Sequence, residues 1–230
     1  RWVVHGGPGM GKSHVIKLIK EELFEKVLHW QIGLDFQVVA LQAVMAELLK
    51  GDTIHHALGI PCFGRKGQTA QGDRSMEVAK RVIQLRWLII DEISMVSAKL
   101  LATIDMKLRS VVRVLGTQKK AGNSIERSFG GLNVLMCGDF WQLPSPDGGY
   151  LGDIPAEFIR TARKYEPGPT IAHGQSLLWG GPGSSFGGAG SDFLNGSNGG
   201  LPLFVLLVNS PLGPPKPLPG PPGTGLKHFS

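Results

Sequence analysis

Apolar and polar positions along the first 150 residues change period repeatedly, and each change marks an element. Trp2 to His5 is a short apolar run that reads as a strand. From Lys12 to about His29, the residues Val15, Leu18, Ile19, Leu23 and Val27 recur at helical spacing and predict a helix. Phe36 to Ala40 predicts a strand, and Gln42 to Leu49 a helix that Gly51 stops. Arg65 to Asp73 is polar and contains glycine, which predicts a loop. Beyond it the pattern predicts a helix over Ser75 to Ile83, a buried strand over Trp87 to Ile90, a helix over Ser97 to Val112 and a strand over Val134 to Cys137. Strand-like runs alternating with helical ones are the signature of an α/β fold, a parallel sheet with flanking helices.

After about residue 165 the pattern changes character. Between Pro167 and Gly225 stand 15 Gly and 11 Pro in 59 residues, beyond the roughly 25 to 30% that marks low complexity. Charge nearly vanishes from Gly180 onward, with only Asp192, Lys216 and Lys227 remaining. The expected organisation is a folded domain over residues 1–165 and a disordered Gly/Pro-rich tail over 166–230, in coil and polyproline II conformations.

Composition narrows the function classes. A formal charge of +6 permits a polyanionic partner without requiring one. Two cysteines, Cys62 and Cys137, rule out a disulfide scaffold or a Cys-rich zinc module and read as plain buried thiols in a reducing compartment. The longest apolar run, Leu201 to Val208, is far short of the about 20 residues that span a bilayer, so the chain reads as soluble with no membrane partner. It starts at Arg1 and enters a strand at once, which suggests a piece of a longer chain.

Gly6-Gly7-Pro8-Gly9-Met10-Gly11-Lys12-Ser13 matches G-x-x-x-x-G-K-[ST] between a strand and a helix, the context that motif requires. Such a loop wraps a phosphate with inward backbone N–H groups, and the helix N-terminus adds partial positive charge. Lys12 then reaches the terminal phosphates of ATP, and the Ser13 hydroxyl is placed to ligate Mg2+. The bland alternative is a glycine-rich turn with a chance lysine. Leu88-Ile89-Ile90 ends in Asp91-Glu92, 79 residues after Lys12. In a nucleotide site Asp91 holds the metal and Glu92 polarises an attacking water; otherwise the pair is a solvated acidic turn. His55-His56 has no carboxylate or Cys at ligand spacing, so a DNA-facing or structural role is favoured over metal binding. Between Arg65 and Arg127, 13 Lys and Arg face 6 Asp and Glu, either solvated helix faces or a groove that tracks a phosphate backbone.

A third strand, Leu135 to Cys137, leads into Gly138-Asp139-Phe140-Trp141-Gln142-Leu143-Pro144. Together with Asp91-Glu92-Ile93-Ser94-Met95-Val96 and Gly51-Asp52-Thr53-Ile54-His55, this set resembles the PIF-type branch of superfamily 1 DNA helicases, similar to RecD and to helicases of Helitron-type transposons. The likeness covers about residues 3 to 180 and includes Ile171 to Trp179. It implies a RecA-like P-loop NTPase fold and a 5′–3′ ATP-dependent DNA helicase whose Lys12, Asp91, Glu92 and Gln142 are catalytic, Gln142 sensing the terminal phosphate. It further implies single-stranded or forked DNA as partner with Thr53, His55 and His56 near the strand, a monomer, and roles in repair, recombination or telomere maintenance in the nucleus or mitochondrion. Met10 stands where the family usually has Thr, Ala40 to Ala46 lacks a frequent Thr-Gly, and Pro144-Ser145-Pro146 replaces Pro-Pro-Val. No arginine follows Arg163, so the arginine fingers and second motor domain of the family are expected to be missing from these 230 residues. Two other readings remain at this point: a non-motor nucleotide-binding remnant, or a P-loop kinase, in which Asp91-Glu92 and Gly138 to Pro144 have no role.

Overall fold

The computed structural model describes residues 1–61, 71–114, 127–142, 145, 146, 149, 151, 168–179 and 204–207. Its strands are β1 (Trp2–His5), β2 (Phe36–Ala40), β3 (Asp52–Thr53), β4 (Trp87–Ile90), β5 (Asn133–Gly138) and β6 (Phe204–Leu207). The helices are α1 (Lys12–Lys17), which continues over Leu18–Val27 with a wider π-type winding, α2 (Ala43–Leu48), α3 (Ile54–Leu58), α4 (Gln71–Gln84), α5 (Ala98–Val114) and α6 (Gly168–Trp179).

The strands form one sheet in the order β3-β2-β4-β5-β1-β6, with β1 to β5 parallel and β6 antiparallel to β1. Successive residues of each central strand enter opposite cores. Val3, Leu88, Ile90, Val134 and Met136 pack on one face with α3, α4, α5 and α6, while Val4, Ile89, Leu135 and Cys137 pack on the other with Ile16 and Phe24. Helices on both faces explain why these strands are unbroken apolar runs rather than alternating ones.

The phase of the first helix differs from the one its apolar spacing predicts. Leu18, Leu23 and Val27 are exposed, and Ile16, Lys20 and Phe24 are buried. Phe24 sets this phase by its ring contacts with Trp30, Phe36 and Trp87, at centroid distances of 5.1, 5.0 and 5.6 Å. Lys20 comes in with it and is satisfied by the Leu49 carbonyl, 3.2 Å from its Nζ. The loop expected over Arg65 to Asp73 is corrected at its end, because Gln71 to Asp73 already belong to α4; residues 62–70, Cys62 among them, lie outside the described residues.

Two elements arise from the segment expected to be a tail. Helix α6 docks on α5 so closely that a β-carbon at Gly174 would overlap the Ala98 carbonyl oxygen. Strand β6 pairs with β1 from Trp2↔Leu207 to His5↔Phe204, which corrects the expectation of coil throughout the stretch beyond Gly180. Phe204 to Leu207 falls in the one strongly apolar run of that stretch, and the edge of β1 offers it unpaired backbone groups. The remainder beyond residue 179 lies outside the described residues.

Candidate active site

In a parallel sheet all strands deliver their ends to one side, and ligands bind at the carboxyl ends. Here β5 lies between β4 and β1, with Ile90↔Met136 and His5↔Gly138 as the last pairs on its two flanks. The carboxyl ends of these adjacent strands therefore carry, side by side, Asp91-Glu92, Asp139 and the loop Gly6 to Ser13. Residues far apart in sequence share one rim.

Within the loop, Gly9 and Gly11 have φ of 74° and 85°, a left-handed backbone that favours glycine. A β-carbon at Gly7, Gly9 or Gly11 would meet no atom within 4 Å, so nothing crowds the loop backbone at these three positions. Gly11 caps α1, and Val15 N donates to its carbonyl at 2.9 Å, so the N–H groups of Lys12 and Ser13 remain available at the helix start. Lys12 is buried, and its Nζ donates to the carbonyls of Gly6 at 2.8 Å and Gly7 at 3.0 Å. The cation is thus held inside the loop by two backbone carbonyls. Pro8, Met10 and Ser13 lie on the exposed side of the same loop.

Asp91 is buried, with its backbone N–H bonded to Val39 O at 2.9 Å. Burial pushes its carboxyl above the ordinary range, and Lys12 pulls in the opposite direction. Glu92 is half-buried and raised as well, first by burial, then by the charge of Asp91. An elevated glutamate is a better base toward water at neutral pH. Glu92 also has φ 51°, ψ 48°, a left-handed conformation costing about 1–2 kcal/mol for a residue with a side chain. The surroundings keep it there: Ile93 and Ser94, the next residues, lie against Gly138, where a β-carbon would come within 2.9 Å of Ile93 N. Strain of this kind concentrates where a side chain must be aimed.

Asp139 received no role from the sequence, and the structure gives it one of the central positions. It is fully buried; its Oδ1 accepts from Trp141 N at 2.9 Å, and its carbonyl accepts from Gln142 N at 3.1 Å. Its Oδ2 and the Ser94 Oγ are buried without a hydrogen-bond partner among the described residues. A buried oxygen in that state beside a phosphate loop is a group awaiting a donor or a cation. Its signal in the sequence was the same as that of Asp91, an acid directly after an apolar strand. Gln142 is exposed at the end of the tight turn that Asp139 organises. Cys137 is the plain buried thiol expected, with its pKa pushed up by burial.

Thr53 ends β3 and pairs with Ala40 on the same side of the sheet as this rim, but two strands away from β4, and His55 and His56 follow it in α3. They lie at the far edge of the sheet, where Thr53 Oγ1 caps α3 by accepting from His56 N at 3.3 Å, and His56 Nδ1 contacts Asp52 Oδ2. No set of His, Cys, Asp and Glu able to cage a metal ion occurs among the described residues. No described helix is long and apolar enough to cross a membrane.

A parallel sheet with a phosphate loop after β1, an acidic pair after β4 and a sensor-like turn after the strand between them defines a P-loop NTPase with a RecA-like core. Residues 2–148 match the family model of the PIF1-like helicases, and the chain belongs to that family. It is 32% identical over 145 residues to the ATP-dependent DNA helicase PIF3 of Trypanosoma brucei brucei, covering 63% of this chain and 15% of that protein. With the ATP-dependent DNA helicase PIF1 of Danio rerio it shares 34% identity over 145 residues, covering 60% of this chain and 19% of that protein. Among solved structures, Bacteroides Pif1 bound to ssDNA aligns at 27% identity with a TM-score of 0.46, over 71% of this chain and 32% of that one. The chain thus spans under a fifth of the length of these two curated relatives.

Proposed function

We propose that residues 1–165, with α6 docked on them, form the nucleotide-binding motor domain of a 5′–3′ ATP-dependent DNA helicase that works as a monomer on single-stranded or forked DNA in the nucleus or mitochondrion, and that 166–230 otherwise form a tail. The observation that carries this reading is the convergence of Lys12, Asp91, Glu92 and Asp139 on one rim of the sheet. The backbone of Gly6 to Ser13 cradles the phosphates of ATP, and Lys12 moves from its own carbonyls to the terminal phosphates. Ser13 and Asp91 hold Mg2+, which supplies charge neutralisation on the phosphates when bound. Glu92, aimed by its left-handed backbone and elevated by burial, accepts a proton from the attacking water. Gln142 senses the terminal phosphate at the end of the turn built on Asp139.

The names of the relatives support a DNA-dependent motor, and Thr53, His55 and His56 contact the strand at the β3 edge of the sheet, two strands from Asp91. Steady-state ATPase measurements with and without single-stranded DNA test the reading. Very slow magnesium-dependent hydrolysis that DNA stimulates is expected from these 230 residues; binding and turnover indifferent to DNA overturn the motor assignment in favour of a non-motor nucleotide-binding module.

A further inference from the structure

We propose that His5 is a positioning residue that couples the phosphate loop to the Asp139–Gln142 turn, so that seating a nucleoside triphosphate on Lys12 alters the placement of Gln142. The inference rests on the reading of Gly6 to Ser13 as the nucleotide site. His5 closes β1 and directly precedes Gly6, so any shift of the loop pulls on it first. It is wholly buried in a strand whose two preceding residues are apolar. A polar ring in such a place is retained at a free-energy cost unless it makes specific contacts.

Those contacts point across the sheet. The ring stacks on Phe140, with centroids 5.5 Å apart and planes at 21°, and its Nδ1 accepts from Phe140 N at 3.5 Å. Phe140 sits inside the turn in which Trp141 N and Gln142 N both bond back to Asp139, so the turn moves as one piece. On the other side, Gly138, the strand partner of His5, packs so closely on Ile93 and Ser94 that a β-carbon there would come within 2.9 Å of Ile93 N. The charged groups that act on the ring are Asp139 and Lys12, one from each of the two segments it joins. A valine or leucine at position 5 would fill the volume and remove the acceptor that Nδ1 offers to Phe140 N–H.

Three substitutions separate the contacts: His5→Phe keeps a ring and removes the acceptor, His5→Asn keeps an acceptor near Nδ1 and removes the ring, and His5→Leu removes both. Trp141, exposed in the turn, is the reporter, read as the fluorescence change on adding Mg·ATPγS to the full 230-residue chain, with Trp141→Phe protein as the subtraction control. The expected result is that folded His5→Leu protein binds nucleotide within about threefold of the unaltered chain yet loses the Trp141 response, and that its kcat falls about five- to tenfold, the scale of one lost hydrogen bond, with KM little changed. Partial recovery by His5→Asn assigns the effect to the Phe140 bond. A full response in His5→Leu protein, or affinity and response lost together in all three variants, overturns the coupling role and leaves the nucleotide site standing. No Trp141 response in an unaltered chain that binds nucleotide also overturns it. Failure of the unaltered chain to bind nucleotide overturns the parent reading, and this inference with it.

Discussion

His173 Nε2 stands 2.8 Å from Asp105 Oδ2, a bond that joins α6 to α5 across 68 residues of chain. The same carboxylate pairs with Arg109 Nε at 2.8 Å and accepts from the N–H of Phe129, a fully buried residue at φ 55°. Arg1 adds a further tie, its Nη1 donating to Leu177 O at 2.8 Å. One buried acid therefore holds together α5, α6 and the turn before β5.

Replacing Asp105 by Ala leaves the Phe129 N–H without its acceptor and removes the partner of Arg109 and His173. A loss of about 2–4 kcal/mol in urea unfolding is expected, the range for breaking a buried charged network from one side. Burial by itself would raise the Asp105 carboxyl, and the bonds from His173, Phe129 and Arg109 outweigh it, holding it below the usual carboxylate range. A depressed acid contributes stability that is complete above its unfolded value and fades as pH falls through the folded one. Stability of the unaltered protein should thus drop below about pH 4 with a slope that Asp105→Asn protein lacks.

Asp91 has the opposite sign. Its folded pKa is raised by burial, so its charge opposes folding at neutral pH, and that penalty is relieved as pH falls through the raised value. Asp91→Asn protein should be more stable by about 0.5–2 kcal/mol at pH 7 and inactive in magnesium-dependent ATP hydrolysis, a trade expected where a site stores unfavourable charge. Thermal melts paired with ATPase assays check both halves; a destabilised variant would contradict the burial account.

Lys12→Ala should abolish measurable nucleotide binding. Each hydrogen bond from a cation to a phosphate is worth about 1.5–3 kcal/mol, a roughly 10- to 100-fold change in affinity. The fold should survive, because Lys12 bonds only within its own loop, to Gly6 and Gly7. Calorimetry with ATPγS, after circular dichroism has confirmed folding, is the measurement.

Gly174→Val protein should lose the docking of α6, since its side chain would enter the Ala98 backbone. Overpacking of this kind costs about 1–3 kcal/mol, and here the collision is with backbone that cannot rotate away. Faster hydrogen exchange confined to α6 and its contacts on α5 reads the effect, and exchange unchanged in α6 would show that the helices stay docked and accommodate the side chain.

At the far edge, Thr53→Ala removes the cap of α3 and should cost about 1 kcal/mol, whereas Thr53→Asn restores it. If the edge also contacts DNA, Asn at position 53 keeps stability and still weakens single-strand binding, and affinity for the unaltered chain falls steeply between about 50 and 200 mM salt. DNA affinity in both variants equal to that of the unaltered chain would remove Thr53 from the interface.

Local pattern and motif alone determined much of this protein. Strands Phe36–Ala40 and Trp87–Ile90 were legible to the residue because strands buried on both faces must be apolar throughout. The positions of the loop Gly6 to Ser13 and of the pair Asp91-Glu92 were legible because each is a local run of residue types directly after an apolar strand. What the tertiary structure decided was whatever depends on neighbours distant in sequence. Phe24 turned the first helix to bury Ile16 and Lys20 in place of Leu18 and Leu23, because an aromatic cluster with Trp30, Phe36 and Trp87 outweighs the phase of an apolar stripe. Asp139 entered the site because the sheet order sets β5 between β4 and β1, an order that no local period encodes. The partnership of Asp105 with His173, Arg109 and Phe129 exists only once α6 has packed on α5, since a carboxylate on an isolated helix has neither the burial nor the donors that make it a hub.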